Sequence, residues 1–145
     1  MLVVVVRVLA DDESKRVGET LPLNRLGRPT GEYLVAWEDG DPVGHAHIEW
    51  ALDPPELQDV FVLPARRRRG IATALTEAAE ARIRACGGDV LALTAGAENT
   101  AAQALYRKLG YVRTAEKPRR VQGTVQLRTG PIEVDDVLLP LEKRL

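Results

Sequence analysis

Arg66, Arg67, Arg68 and Arg69 run directly into Gly70, Ile71, Ala72 and Thr73. The stretch after Gly70 reads as a helix start, and this is the wrong charge for one. A helix N-terminus carries partial positive charge, so carboxylates are favoured there and cations are not. Cations stacked at that point suit an anion. Free backbone N–H groups beside a glycine that tolerates close approach suit a phosphate best. A basic run is also what a solvated face or a nucleic-acid patch looks like. Against nucleic acid stand the net charge of −1 and the lack of aromatic residues interleaved with the run for stacking bases.

The elements around this run read as a mixed α/β chain. Residues 2–9 are a β-branched run, a buried strand. Asp11, Asp12 and Ser14 offer caps for a short helix through about Leu21, and residues 22–31 read as a loop. Residues 32–38 and 43–50 form a hairpin about Asp39-Gly40-Asp41-Pro42. Residues 56–62 make a fourth strand, closed by Pro64. Residues 70–86 carry Ile71, Ala74, Leu75, Ala78, Ala79 and Ile83 at helical spacing, and Gly87-Gly88 stops them. Residues 90–94 are a fifth strand, and residues 99–109 a second strong helix ended by Gly110. Residues 111–114, part of 121–127, and 134–141 are the remaining strands. The order β-α-βββ-α-β-α-β-β predicts an α/β (α+β mixed sheet) single domain over residues 1–145, with parallel pairing across the strand–helix–strand unit of residues 57–94.

Composition sets the outer limits. A chain of 145 residues, 45% of them hydrophobic, suits one core. The single cysteine, Cys86, excludes an internal disulfide and a cysteine-rich metal site, and suits a reducing cytosol. The apolar start is too short for a signal segment, and no stretch approaches the ~20 apolar residues of a membrane span. The expectation is a cytoplasmic protein with no metal and no membrane partner. His45 and His47 share a strand face, but two histidines without a third ligand make a poor metal site. Substrate contact or plain surface is the expectation for them.

Two segments together carry a resemblance. One is Val60-Phe61-Val62-Leu63-Pro64 followed by Arg67-x-x-Gly70-x-Ala72. The other is Asn99-x-x-Ala102-x-x-Leu105-Tyr106-x-x-x-Gly110-Tyr111. The chain resembles the GNAT superfamily of acyl-CoA N-acyltransferases over residues 56–112. The first segment matches its [Gln/Arg]-x-x-Gly-x-[Gly/Ala] acyl-CoA signature and the second its later Asn…Tyr helix motif. The resemblance implies the GNAT fold, with a mixed sheet splayed between strands 4 and 5. It implies acetyl-CoA as co-substrate and transfer of its acetyl group to a primary amine by direct attack in a ternary complex. It is compatible with a homodimer.

Residue roles follow from the resemblance and from chemistry. Arg68, Arg69, Gly70, Ile71, Ala72 and Thr73 would turn consecutive N–H groups toward the pyrophosphate. Arg67 would act through loop geometry. Gly70 would avoid collision with phosphate. Arg66, Arg68 and Arg69 would fan outward, one of them reaching the 3′-phosphate. Main-chain groups of Val60 and Val62 would pair with the pantetheine amides, and an N–H near Phe61 would polarise the thioester carbonyl. Asn99 is either a helix N-cap or a pantetheine ligand, or both. Tyr106 is a core aromatic or the residue whose hydroxyl meets the sulfur. Phenol, with pKa about 10, is a weaker acid than thiol at about 8.5, so hydrogen bonding to the departing thiolate fits better than full proton transfer.

The amine must lose a proton. Glu56 is the candidate base, with Asp59, Glu49 or a water as rivals. Strand alternation puts Glu56 on the side of Gln58, Val60 and Val62 and Asp59 on the other, unless a bulge intervenes. Cys86 is a poor nucleophile candidate. Lys117, Arg119 and Arg120 suit an acidic acceptor or a solvated loop equally. Two other functions stay open: a catalytically silent acyl-CoA sensor, and a nucleic-acid-binding domain.

Overall fold

A computed structural model describes residues 3–145. The strands are β1 (Val4–Val8), β2 (Gly31–Glu38), β3 (Asp41–Glu49), β4 (Glu56–Val62), β5 (Val90–Gly96), β6 (Val112–Arg113), β7 (Arg119–Leu127) and β8 (Gly130–Arg144). The helices are α1 (Ser14–Thr20), α2 (Ile71–Ala85) and α3 (Thr100–Lys108). The expected order holds through α3, after which three strands follow rather than the two of the expected order. The expected stretch at residues 111–114 is the two-residue β6, and the last strand is far longer than residues 134–141. Residue 2, at the edge of the expected first strand, lies outside the described residues. No helix among the described residues is long and apolar enough to cross a membrane.

One sheet runs β1-β2-β3-β4-β5-β8-β6, with β7 hydrogen-bonded to β8. Among the described residues, only β4 and β5 pair in parallel; the other neighbours are antiparallel. The parallel pair is joined through α2, as a crossover requires. The β2–β3 turn is tight because Asp39 and Gly40 both take positive φ, 50° and 81°, the geometry a two-residue hairpin loop favours.

The sheet has a core on each face. On one, Ile71, Leu75, Ala79 and Ile83 of α2 pack against Leu34, Ala46, Ile48, Leu57 and Leu91, with Tyr106 and Tyr111 at the α3 end. On the other, Val17, Leu21 and Leu23 cover Tyr33, Val35 and Trp37 of β2. β2 therefore alternates between the two cores, with Leu34 and Ala36 in one and Tyr33, Val35 and Trp37 in the other, and a slip in its register would move each side chain from one to the other.

Candidate functional site

β4 and β5 are hydrogen-bonded only where Glu56 faces Ala92 and Leu57 faces Leu93. Beyond that point they diverge, and two hollows open at the gap. One, of about 510 Å³, is lined by Val60, Phe61, Val62, residues 66–68 and residues 70–73. The other, of about 420 Å³, holds Glu56, Gln58, Asp59 and Tyr106. Val60 and Asn99 line both, so the two meet across the splay.

The first hollow is rich in uncommitted donors. Among the described residues, no acceptor meets the backbone N–H of Arg68, Arg69, Gly70, Ile71, Ala72 or Thr73. The first helical bond of this end runs from the Ala74 N–H to the Gly70 carbonyl. Two left-handed residues curl the loop, Arg68 at φ 63° and Gly70 at φ 80°. Glycine adopts the left-handed backbone at position 70 without the strain a side chain would add. A Cβ on Gly70 would meet no protein atom within 4 Å, so the protein itself would not obstruct a side chain there.

The arginines divide, and not as expected. Arg66 and Arg69 do not both fan outward. They converge on the buried carboxylate of Glu38, with N···O distances of 3.1 and 3.7 Å. Arg67 donates from Nε to the Val62 carbonyl at 3.0 Å, which fits its expected part in loop geometry. Arg68 forms no ion pair among the described residues and is exposed. Because the Leu63 N–H bonds the Val43 carbonyl, antiparallel alternation turns the main-chain groups of Phe61 toward β3 and those of Val62 toward the gap. The N–H offered at the gap is therefore Val62's rather than Phe61's.

Strand alternation fails on β4. The β3–β4 register shifts between His45 and His47, so that Phe61 faces His45 while Gln58 faces His47. The extra residue falls at Asp59, whose φ is 51°. This bulge reverses parity along the strand. Glu56, Gln58 and Asp59 share the face of the histidines and Phe61, while Leu57, Val60 and Val62 pack toward α2. Glu56 is therefore with Asp59, not with Val60 and Val62.

The two candidate bases differ in what they already hold. Oδ2 of Asp59 accepts from the Tyr33 hydroxyl at 2.5 Å and from the Asn24 N–H at 3.1 Å. Glu56 accepts from the Gln58 amide at 3.2 Å through Oε1, which leaves Oε2 uncommitted among the described residues. Glu49 lies outside both hollows and accepts from the Thr30 hydroxyl and the Ala51 N–H. Tyr106 sits edge-on to Tyr111, 5.8 Å between centroids, and burial pushes its hydroxyl up to about 12. Asn99 does cap α3, its Oδ1 accepting from the Ala102 N–H at 3.0 Å.

His45 and His47 are fully buried, against expectation. Both rings pack edge-on to Tyr33, and burial lowers both pKa values. No metal-capable cluster of three or more His, Cys, Asp or Glu side chains occurs among the described residues. Sequence reasoning missed Arg25, Tyr33, Glu38 and Arg128. Arg128, in the β7–β8 turn, donates to the carbonyls of Pro22, Gly18 and Leu21 at 2.6, 2.9 and 3.0 Å. It ties the hairpin to the loop that carries Arg25. No local motif marks these four residues.

Comparison with known proteins identifies the family and the fold. The model of the acetyltransferase (GNAT) family matches residues 5–111. A mycothiol acetyltransferase of Nocardia farcinica is 38% identical over 107 residues, 70% of this chain and 34% of the relative. The chain thus spans about a third of that relative's length. Among solved structures, the ribosomal-protein-S18-alanine N-acetyltransferase of Escherichia coli superposes with a TM-score of 0.76 at 18% identity, covering 98% of this chain and 94% of that one. A putative streptothricin acetyltransferase of Bacillus anthracis, solved with acetyl coenzyme A, does so at 0.73 and 14% identity, covering 99% and 100%.

Proposed function

The chain belongs to the GNAT acetyltransferase family, and from that premise we propose that it is an N-acetyltransferase using acetyl-CoA, with residues 1–145 as one catalytic domain. The observation that carries this reading is the junction of two unlike hollows at the β4–β5 splay. One is lined by Arg68, Gly70, Ile71, Ala72 and Thr73, whose N–H groups meet no acceptor among the described residues. The other presents a buried phenol and carboxylates. The first fits a pyrophosphate, which needs several converging donors. The gap edge of β4 fits the pantetheine arm, whose amides would pair with main-chain groups of Val60 and with the Val62 carbonyl. Solved family members with acetyl coenzyme A bound support this use of the fold.

In the proposed reaction the acceptor amine attacks the thioester carbonyl directly. A C–N bond forms and the C–S bond breaks. The N–H of Val62 stabilises the developing oxyanion. Glu56 takes the amine proton, directly or through water, because it lines the same hollow as Tyr106 and keeps one carboxylate oxygen uncommitted among the described residues. Tyr106, held protonated by burial, donates a hydrogen bond to the departing thiolate. Asn99 caps α3 and so fixes the helix that carries Tyr106.

The test is an amine panel with acetyl-CoA and thiol detection. Turnover is expected, and Tyr106→Phe should lower kcat roughly 10²-fold, within the usual range for a positioned proton donor, with acetyl-CoA affinity changed less than threefold. A Tyr106→Phe variant with wild-type kcat would remove that role. Normal acetyl-CoA binding with no acceptor in a broad panel would favour a silent acyl-CoA-binding module instead.

A further inference from the structure

Within the second hollow the charges are sorted in a way the transfer reaction alone does not require. Two arginines, Arg25 and Arg119, line it together with Glu56 and Asp59. Yet neither arginine pairs with either acid, and neither guanidinium forms an ion pair or hydrogen bond with any described residue. Among the described residues some arginines are paired, as in Arg7 with Glu13, Arg82 with Glu32 and Arg120 with Asp135, and others are not; Arg25 and Arg119 differ from the other unpaired ones in lining the cavity that holds Glu56 and Asp59. Asp59 is occupied by Tyr33 and Asn24, and Glu56 by Gln58. The hollow therefore keeps its positive and its negative groups apart.

The backbone under each arginine is anchored. The Arg25 N–H donates to the Tyr33 hydroxyl at 2.7 Å, and that hydroxyl donates in turn to Asp59. Arg119 opens β7 opposite Leu138. Its neighbour Arg120 is held by Asp135, and strand alternation sends Arg119 to the other face. An adjoining hollow of about 260 Å³ shares Glu56 and Arg119 and adds Lys117 together with Asp53, Glu116 and Glu142, so the arginine pair is confined to the first cavity.

A guanidinium presents a planar fork of donors that matches a carboxylate or a phosphate. We propose that the acceptor is an amine bearing an anionic group, with Arg25 and Arg119 holding the anion while the amine lies toward Glu56. This rests on the acetyltransferase reading above and names its substrate class. A carboxylate and a phosphate share the chemistry, and the experiment separates them.

Thiol release from acetyl-CoA is measured with matched amines: the common α-amino acids against their carboxamides, and phosphoethanolamine against ethanolamine. The carboxamide's amine is the less basic of its pair, so that comparison is biased against the acid. The expected result is at least tenfold higher kcat/KM for the anionic member of one pair type, which also identifies the anion. Arg25→Gln and Arg119→Gln should each raise the KM for that member roughly tenfold, the scale of a charge-assisted contact after screening. They should leave the KM for acetyl-CoA unchanged, and Lys at either position should restore part of the loss. Equal use of anionic and neutral members would overturn the proposal, as would arginine variants that keep the preference intact. Turnover of no member, with acetyl-CoA bound normally in calorimetry, would also overturn the acceptor class. Failure to bind acetyl-CoA at all would instead remove the acetyltransferase reading beneath it.

Discussion

At Gly70 two demands fall on one residue. The backbone sits at φ 80°, a region that costs a side-chain-bearing residue roughly 1–2 kcal/mol. The N–H groups on either side have no protein acceptor among the described residues. The two demands separate by substitution. Gly70→Ala adds a methyl that meets no protein atom within 4 Å, so its main cost is strain. It should lower Tm by roughly 4 °C for a domain of this size. Gly70→Glu carries similar strain and adds negative charge where the pyrophosphate is proposed to lie. It should abolish the calorimetric signal with acetyl-CoA, whereas the alanine variant should retain one. Equal binding by both variants would separate this loop from the phosphate. The arginines beside Gly70 show where reading by spacing stops. The turn that carries Arg67, Gly70 and Ala72 is legible because it is local. The partner of Arg66 and Arg69 is Glu38, at the far end of β2, and nothing local connects it to the run.

The elements bring out the β4 bulge. Asp59 takes φ 51°, and the parity of the strand reverses there. That reversal is why Glu56 and Asp59 share one hollow. A non-glycine residue at positive φ is uncommon, although aspartate tolerates it better than most. Its carboxylate also joins three elements: β4 itself, Tyr33 of β2, and the loop at Asn24. Asp59→Ala should remove both hydrogen bonds, leave the buried Tyr33 hydroxyl without an acceptor and keep the strain. A loss of roughly 2–3 kcal/mol in urea unfolding is expected. Because Arg25 rides on the same loop, the KM for the acceptor should rise while that for acetyl-CoA holds. Asp59→Asn retains one acceptor and the tolerance for positive φ, and should lose less than half as much. Equal stability of the two variants would show that the carboxylate does not hold the loop. Element types along this chain were legible from period and turn chemistry. The bulge was legible only as a contingency of alternation, since Asp59 reads like any strand-end acid. The Arg128 tie joins residues more than a hundred positions apart, and no local pattern encodes it.

The whole molecule is a sheet with two cores, and they respond differently to acid. The α2 face is mostly apolar, apart from Thr76 and from Glu80, which is held by Tyr111 and Lys143. The α1 face buries His45 and His47 against Tyr33 and Phe61. Asp59, Glu49 and Gln58 favour their protonated forms and Arg25 and Arg128 oppose them, but burial is the largest influence and lowers both pKa values. A histidine kept neutral in the folded state takes up a proton first in the unfolded state. Below the unfolded value of about 6.5 the unfolded chain therefore binds more protons, and stability falls as pH falls until the folded value is reached. Each such histidine costs up to about 1.4 kcal/mol per pH unit inside that window. Urea unfolding free energy should be nearly flat from pH 8 to 7 and decline between pH 6.5 and 5.5. His47→Gln, which leaves the His45–Asp59 contact in place, should reduce that slope by up to one proton's worth even if the variant is less stable throughout. The carbon-bound imidazole protons of folded wild-type protein should show no titration at pH 6.5. A folded-state titration near 6.5, or an unchanged slope in the variant, would move the acid sensitivity away from this core.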